Sequence, residues 1–310
     1  MLRLQFNLSS TVKESLDVQA DDFINTVKNV VGLLQKEKGR IGNFTVSGKL
    51  VNLNPVGTAL VIGDLHGDLN SLQEILKNSK YILKMAQDKN TAIVFLGDYG
   101  DRGAFSAAVY FTILKLKLAF PDRIIFLRGN HESPEDLMAS PHNLPLQFQF
   151  KFKEKWTKAY AKIRELFDCM YNAVIVEERY LMLHGGLPPN LSNVEELARP
   201  HPWAPDFLED LLWSDPDETI QGLVPSPRGA GKLFGKNVTE TVLGNLGVRI
   251  LIRGHEPANE GYKIDHGGKI LTLFSRKGPP YYNERGAYLN LPLSKKIETA
   301  QQLIPWIHKF

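Results

Sequence analysis

The 310-residue sequence predicts an α/β fold with buried strands. Three observations predict it. Short apolar runs recur along the chain, each run ends in a glycine-rich turn carrying polar residues, and helical periodicities fill many of the intervals. The composition agrees: 43% hydrophobic and 23% charged is ordinary for a globular chain long enough to bury a sizeable core without cross-links. By length, one large domain fits as well as about two. Lys plus Arg total 37 and Asp plus Glu 34, a formal charge of +3, which gives no case for a nucleic-acid or membrane surface.

Residues 1–8 alternate apolar and polar side chains and lack the apolar region of a signal peptide. Residues 1–20 read as an N-terminal extension, either disordered or a short pairing strand. Residues 21–37 carry Phe23, Val27, Val30, Val31 and Leu34 near helical spacing, and Gly39, Gly42 and Gly48 punctuate the next stretch. The first apolar run, 58–62, ends in Gly63-Asp-Leu-His-Gly-Asp, and a helix pattern runs on through Leu69, Leu72, Ile75 and Leu76. The second, 91–96, ends in Gly97-Asp-Tyr-Gly-Asp-Arg-Gly, with a helix reaching the region of Leu118. The third, 123–127, ends in Arg128-Gly-Asn-His-Glu. Residues 146–170 are more helical, with Trp156, Tyr160, Ile163 and Phe167 apolar and Lys151, Lys153, Lys155 and Lys158 on a solvated face. The fourth run, 179–183, ends in His184-Gly-Gly, and the fifth, 248–252, ends in Arg253-Gly-His-Glu. Residues 269–274 and 287–291 are the last strands. A single catalytic domain is thus expected over 21–293. Residues 294–310 form a C-terminal segment, either packed or an apolar docking tail. The single cysteine, Cys169, excludes an internal disulfide, no apolar stretch reaches the length of a membrane span, and no C-terminal cysteine offers a lipid anchor. The expected location is cytoplasmic.

Ligands of α/β sheets bind beyond the carboxyl ends of the strands. Five strand ends here deliver metal-ligand side chains: Asp64 and His66; Asp98; Asn130 and His131; His184; His255. Singly, each reads as a turn cap or a satisfied structural residue. Repeated at five ends, each with glycine close by, they read as one site. Asp64 and His66 are two apart on an extended exit and so point the same way. Carboxylate, imidazole and amide oxygen together suit manganese, iron or zinc, and suit neither a calcium cage nor a thiolate site. Six ligands are too many for one catalytic zinc and fit two metals sharing a carboxylate, with Asp98 the candidate bridge. Two metals roughly 3.5–4 Å apart suit in-line phosphoryl hydrolysis by a shared water. Arg102 and Arg228 can fork onto phosphate oxygens. His131 can protonate the leaving oxygen, and Asp101 can hold His131 as its cation.

The motifs beginning at Gly63, Gly97 and Gly129 resemble the three-part signature of the PPP protein serine/threonine phosphatases, members of the calcineurin-like metallophosphoesterases. His184-Gly-Gly-Leu-Pro-Pro, Leu212-Trp-Ser-Asp-Pro-Asp, Ser226-Pro-Arg-Gly-Ala-Gly-Lys-Leu-Phe-Gly and Arg253-Gly-His-Glu extend the resemblance over residues 25–290. It implies two packed β-sheets flanked by helices in a four-layer α/β/β/α fold. It implies Asp64, His66 and Asp98 on one metal, and Asp98, Asn130, His184 and His255 on the other. It assigns His131 as acid, Asp101 as its partner, and Arg102, Asn130 and Arg228 as phosphate binders. Phosphoproteins are the implied substrates, hydrolysed in one step without a phosphoenzyme. A manganese pair is the first expectation, iron or zinc the alternative, and a regulatory subunit is left open. A second reading keeps the chemistry and changes the substrate to a small molecule, such as a dinucleoside polyphosphate.

Three departures stand out. Gly100 replaces the family's usual Val, which predicts a more flexible turn. Arg253-Gly-His-Glu replaces the commoner Arg-Ala-His-Gln. After Leu273-Phe-Ser the family's Ala-Pro-Asn-Tyr-Cys is missing, and Tyr281 or Tyr282 is left to overhang the groove. Arg276 and Lys277 add charge to that loop and predict a preference for acidic flanks or doubly phosphorylated sites.

Overall fold

The computed structural model of the protein describes residues 6–199 and 206–310. Strands Thr58–Ile62, Thr91–Phe95 and Ile124–Phe126 run parallel. They read as continuous apolar runs because both faces are covered, and every residue of Thr91–Phe95 is buried. Ala287–Pro292 and Ile307–Lys309 add antiparallel to the Thr58–Ile62 edge and complete a five-stranded sheet. A second, eight-stranded sheet is ordered Gly39–Ile41, Phe44–Ser47, Leu50–Leu53, Ala173–Val176, Tyr180–Met182, Ile250–Arg253, Ile270–Leu273, Tyr262–Asp265.

Side-chain alternation in the second sheet shows how the layers stack. Val174, Val176, Tyr180, Met182, Ile250, Ile252, Leu271 and Leu273 join the core of the five-stranded sheet. Ala173, Ile175, Leu181, Leu251 and Ile270 point the other way, into a second core with Leu211 and Leu212 of helix Phe207–Trp213 and Val242 and Leu243 of helix Lys236–Asn245. Helices Ala20–Leu34, Leu69–Ser79, Ser106–Ala119 and Trp156–Cys169 contribute to the core of the five-stranded sheet. The expected four-layer α/β/β/α architecture results.

Several elements differ from the expectation. Residues 39–53 form a three-stranded meander. Its turns are Gly42-Asn43 and Gly48-Lys49, with Ile41 opposite Phe44 and Ser47 opposite Leu50. Two-residue loops opening on a glycine at positive φ are hairpin signals, so these glycines are connections and not mere punctuation. Of the expected N-terminal extension, residues 1–5 lie outside the described residues. Residues 8–17 form a helix rather than a strand, capped by Asn7 accepting from the Ser10 N–H, with Val12 in the main core. At the C-terminus, a 3₁₀ segment, Ala300–Trp306, buries Leu303, and the strand after it pairs with Ala287–Leu289.

Candidate metal centre and catalytic cleft

All five predicted strand ends meet at one cleft of about 770 Å³, lined by His66, Asp98, Arg102, Asn130, His131, Arg228, His255 and Tyr281, with Met138 and Trp213 as apolar wall. Asp64, Asp101 and His184 are almost fully buried. The backbone turns tightly to bring these groups together. His66, Asp98, Asp101, Arg102 and His255 all hold φ between 43° and 74°. Asp64 and His66 do converge, but through this left-handed turn at His66 and not along an extended exit. Gly129 has to be glycine: a Cβ there would stand 2.2 Å from Asp98 Oδ1.

Tautomers decide what the converging atoms can do. His66 Nδ1 lies 3.0 Å from the Gly100 carbonyl, and His184 Nδ1 lies 2.9 Å from the Leu96 carbonyl. A carbonyl only accepts, so both Nδ1 atoms carry the proton and both Nε2 atoms present lone pairs. His66 Nε2 stands 3.6 Å from Asp64 Oδ2 and 3.3 Å from Asp98 Oδ2. His184 Nε2 stands 3.4 Å from Asp98 Oδ1 and 3.0 Å from Asn130 Oδ1. His255 Nδ1 approaches the same Asn130 oxygen at 3.3 Å. Acceptors crowded against acceptors repel unless positive charge lies among them. Turning the Asn130 amide over would let it donate to Asp98 and both histidines, yet buried Asp64 Oδ2 would still lack a hydrogen-bond partner among the described residues. Divalent cations satisfy the whole set, and the mixed oxygen and imidazole donors suit them. The fit is therefore good.

Electrostatics agree. Burial pushes the Asp64 carboxyl up to about 7. Burial, with Asp64 and Glu132 beside it, pushes the Asp98 carboxyl well above its usual range. Burial also pushes the His66, His184 and His255 imidazoles well below theirs. Without a cation the site favours neutral groups.

His131 Nδ1 bonds Asp101 Oδ2 at 2.7 Å, and among the described residues no hydrogen bond takes up its Nε2. Burial would raise the Asp101 carboxyl, but hydrogen bonds from His131 and His142 hold it well below its ordinary value, so it stays an anion. Arg228 Nε binds Asp215 Oδ2 at 2.7 Å, and Asp215 Oδ1 takes Arg253 Nη2 at the same distance. Glu256, one of the departures, accepts from Arg253 Nη1 at 2.5 Å. Arg102 Nε is buried and, among the described residues, has no hydrogen-bond partner.

Two organising residues escape a reading of the sequence. Glu132 sits in the Gly129 motif, yet its spacing gives it no role. Its carboxylate accepts from the Asp98 and Gly129 N–H groups on one oxygen, and from the Tyr99 N–H and Tyr110 hydroxyl on the other. His142 lies in a loop with no motif; only its residue type signals it.

The loop of 275–283 separates the two tyrosines. Tyr281 stacks on His66, ring centroids 5.3 Å apart, and lines the cleft; Tyr282 is 78% exposed. The charge expectation for this loop fails. Arg276 is buried, donates to the His66 and Pro279 carbonyls and lies over the Tyr281 ring; Lys277 pairs with Glu74 at 3.2 Å. A guanidinium consumed by backbone carbonyls cannot read a substrate's acidic flank. Gly100 does not loosen its turn either: a Cβ there would meet Tyr110 Cε2 at 2.8 Å, so the tyrosine ring occupies the side-chain space.

Residues 57–259 match the calcineurin-like phosphoesterase family. Over 238 residues the chain is 34% identical to the serine/threonine-protein phosphatase 4 catalytic subunit of Eremothecium gossypii, covering 72% of this chain and 70% of that one. It is 33% identical over 263 residues to a protein of Encephalitozoon cuniculi described as a "probable serine/threonine-protein phosphatase", covering 82% of this chain but spanning only 54% of that longer protein. A Saccharomyces cerevisiae protein serine/threonine phosphatase structure superposes with a TM-score of 0.70 at 23% identity, over 88% of this chain and 82% of that one, which speaks to the fold. These relatives do not favour the small-molecule alternative. With its matched residues, its curated relatives and its cleft in agreement, the chain belongs to the calcineurin-like phosphoesterases and, within them, to the PPP family of protein serine/threonine phosphatases.

Proposed function

We propose that the protein is a metal-dependent phosphoprotein phosphatase that hydrolyses phosphoserine and phosphothreonine esters in one in-line step, with no phosphoenzyme. The convergence of lone pairs from five strand ends on one cleft carries this reading. Asp64, His66 and Asp98 would hold one metal, and Asp98, Asn130, His184 and His255 the other. Asp98 suits the bridge because one of its oxygens faces His66 and the other His184. Manganese is the pair we favour, with iron or zinc as alternatives. When bound, such a pair supplies Lewis acidity, lowering the pKa of a water from about 15.7 towards 7 and offsetting phosphoryl charge.

The chain's own groups do the rest. Arg102 and Arg228, with the Asn130 amide, hold phosphate oxygens, Arg228 being aimed by Asp215. Asp101 keeps the proton on His131 Nδ1, so a protonated His131 can give its Nε2 proton to the leaving seryl or threonyl oxygen. Tyr281 roofs the His66 side and Trp213 walls the His255 side. We extend to this chain the role of catalytic subunit that its relatives' names carry, with a protein regulatory partner and a cytoplasmic setting that suits its single cysteine.

The test is a competition. Metal-stripped protein receives manganese, and a phosphothreonine peptide competes with a dinucleoside tetraphosphate. The peptide is expected to dominate, and His131→Asn to lower kcat by about 10²–10⁴-fold. Preference for the dinucleotide would overturn the substrate assignment and leave the site chemistry standing.

A further inference from the structure

Asp101 carries more than the bond to His131. Its Oδ2 also meets His142 Nδ1 at 2.5 Å, and its Oδ1 accepts the Leu144 N–H at 2.6 Å. The other nitrogen of His142, Nε2, lies 3.0 Å from the Tyr160 hydroxyl. The pattern is self-consistent: Nδ1–H donates to the carboxylate, and Nε2 faces the phenol. Tyr160 belongs to helix Trp156–Cys169, and its ring meets Phe148 edge-on. A part-buried chain of contacts therefore runs from the helix Trp156–Cys169 through Tyr160, His142 and Asp101 to His131.

We propose that His142, braced by Tyr160, is a positioning residue for proton transfer to the leaving group, locking the Asp101 carboxylate that aims His131. This rests on the reading of His131 as the general acid. The physical need is clear. The terminal torsion of an aspartate is broad, so one hydrogen bond leaves the carboxylate free to swing. Three donors, one from the 130–132 turn and two from the segment 142–144, remove that freedom, and with it the freedom of the His131 ring. In the step itself, water oxygen bonds to phosphorus as the ester P–O bond breaks. The electron pair goes to the leaving oxygen, which takes the His131 proton, and the proton lost by water restores the acid.

Leaving-group chemistry separates positioning from bulk structural support. A serine or threonine alkoxide must be protonated as it leaves; a p-nitrophenolate, a far weaker base, need not be. The manganese-loaded enzyme is assayed on a phosphothreonine peptide and on p-nitrophenyl phosphate. In His142→Leu, kcat on the peptide is expected to fall by about 10-fold with KM unchanged, the scale orienting partners command, while the aryl ester is spared. His142→Asn, whose amide can still donate to Asp101, should recover most of the loss. Tyr160→Phe should show a smaller loss of the same selectivity, and it carries the test if His142→Leu melts early. Equal losses on both substrates, or none on either, would overturn the proposal. His131→Asn is the reference. If it shows no selectivity between the substrates, the acid assignment itself fails. If it is selective while the His142 and Tyr160 variants are not, only the role of His142 fails.

Discussion

Five cleft residues, His66, Asp98, Asp101, Arg102 and His255, occupy left-handed backbone that ordinary side chains avoid. Each such residue costs about 1–3 kcal/mol and persists only where the surroundings hold it. Here the neighbours do so. Asp64 Oδ1 accepts the His255 N–H at 2.9 Å, Glu132 holds the Asp98 N–H at 2.8 Å, and the Ser106 hydroxyl accepts the Asp101 N–H at 3.0 Å. A pH consequence arises for the metal-free protein. Asp64 and Asp98 are raised by burial, so the folded state binds more protons than the unfolded chain above the usual carboxylate range, and stability falls as pH rises towards 7 and beyond. The depressed His66, His184 and His255 act oppositely, most strongly below about 6.5, where unfolded imidazoles take up protons. Between about pH 7 and 8.5 the unfolded imidazoles are mostly neutral, and the raised carboxylates dominate. Thermal melts of chelator-treated protein should therefore fall by a few degrees across that range, and manganese loading should abolish the fall. A stripped protein whose melting temperature rises there would contradict the assignment. Residue types and their place at strand ends were legible in the sequence. The groups that brace them were not, because Glu132 and His142 act through long-range contacts that no local pattern encodes.

At the scale of elements, the turn at Gly100 shows one side chain standing in for another. Tyr110, on the helix Ser106–Ala119, places its ring where a Gly100 Cβ would be and its hydroxyl 2.6 Å from Glu132. Gly100→Val should destabilise the protein by about 1–3 kcal/mol, the usual cost of overpacking. In a Tyr110→Leu background the same change should cost clearly less, since the ring it strikes is gone. A double-mutant cycle by denaturant unfolding measures this coupling, and additive costs would refute it. The loop of 275–283 teaches the opposite lesson. Its positive residues suggest substrate contact, yet Arg276 turns inward because the His66 carbonyl and the Tyr281 ring offer it partners there. Composition cannot distinguish an inward from an outward arginine. The meander of residues 39–53 is similarly veiled: its strands are three or four residues long, too short for periodicity to register.

Over the whole molecule, the C-terminal residues close the fold. Ile307–Lys309 covers the edge strand Ala287–Pro292, and the Phe310 ring comes to 2.6 Å from the place a Gly286 Cβ would take. Leu303 is fully buried in the main core. Deleting residues 300–310 should lower stability by at least the burial of that one leucine, about 1.5–3 kcal/mol, and should expose a sheet edge that promotes association. Denaturant melts and light scattering test both; an unchanged midpoint in a monodisperse protein would show the segment to be dispensable.

Apolar runs and the glycine-flanked Asp, His and Asn residues at their ends determined the α/β class and which side chains stand at the strand ends, because ligands of such sheets lie beyond the carboxyl ends of the strands. Only the tertiary structure decided which tyrosine roofs the cleft, that Arg276 is a brace, and that Asp101 serves two imidazoles. Those outcomes depend on which side chains from distant segments compete for the same few cubic ångströms, and such competition has no signature in linear order.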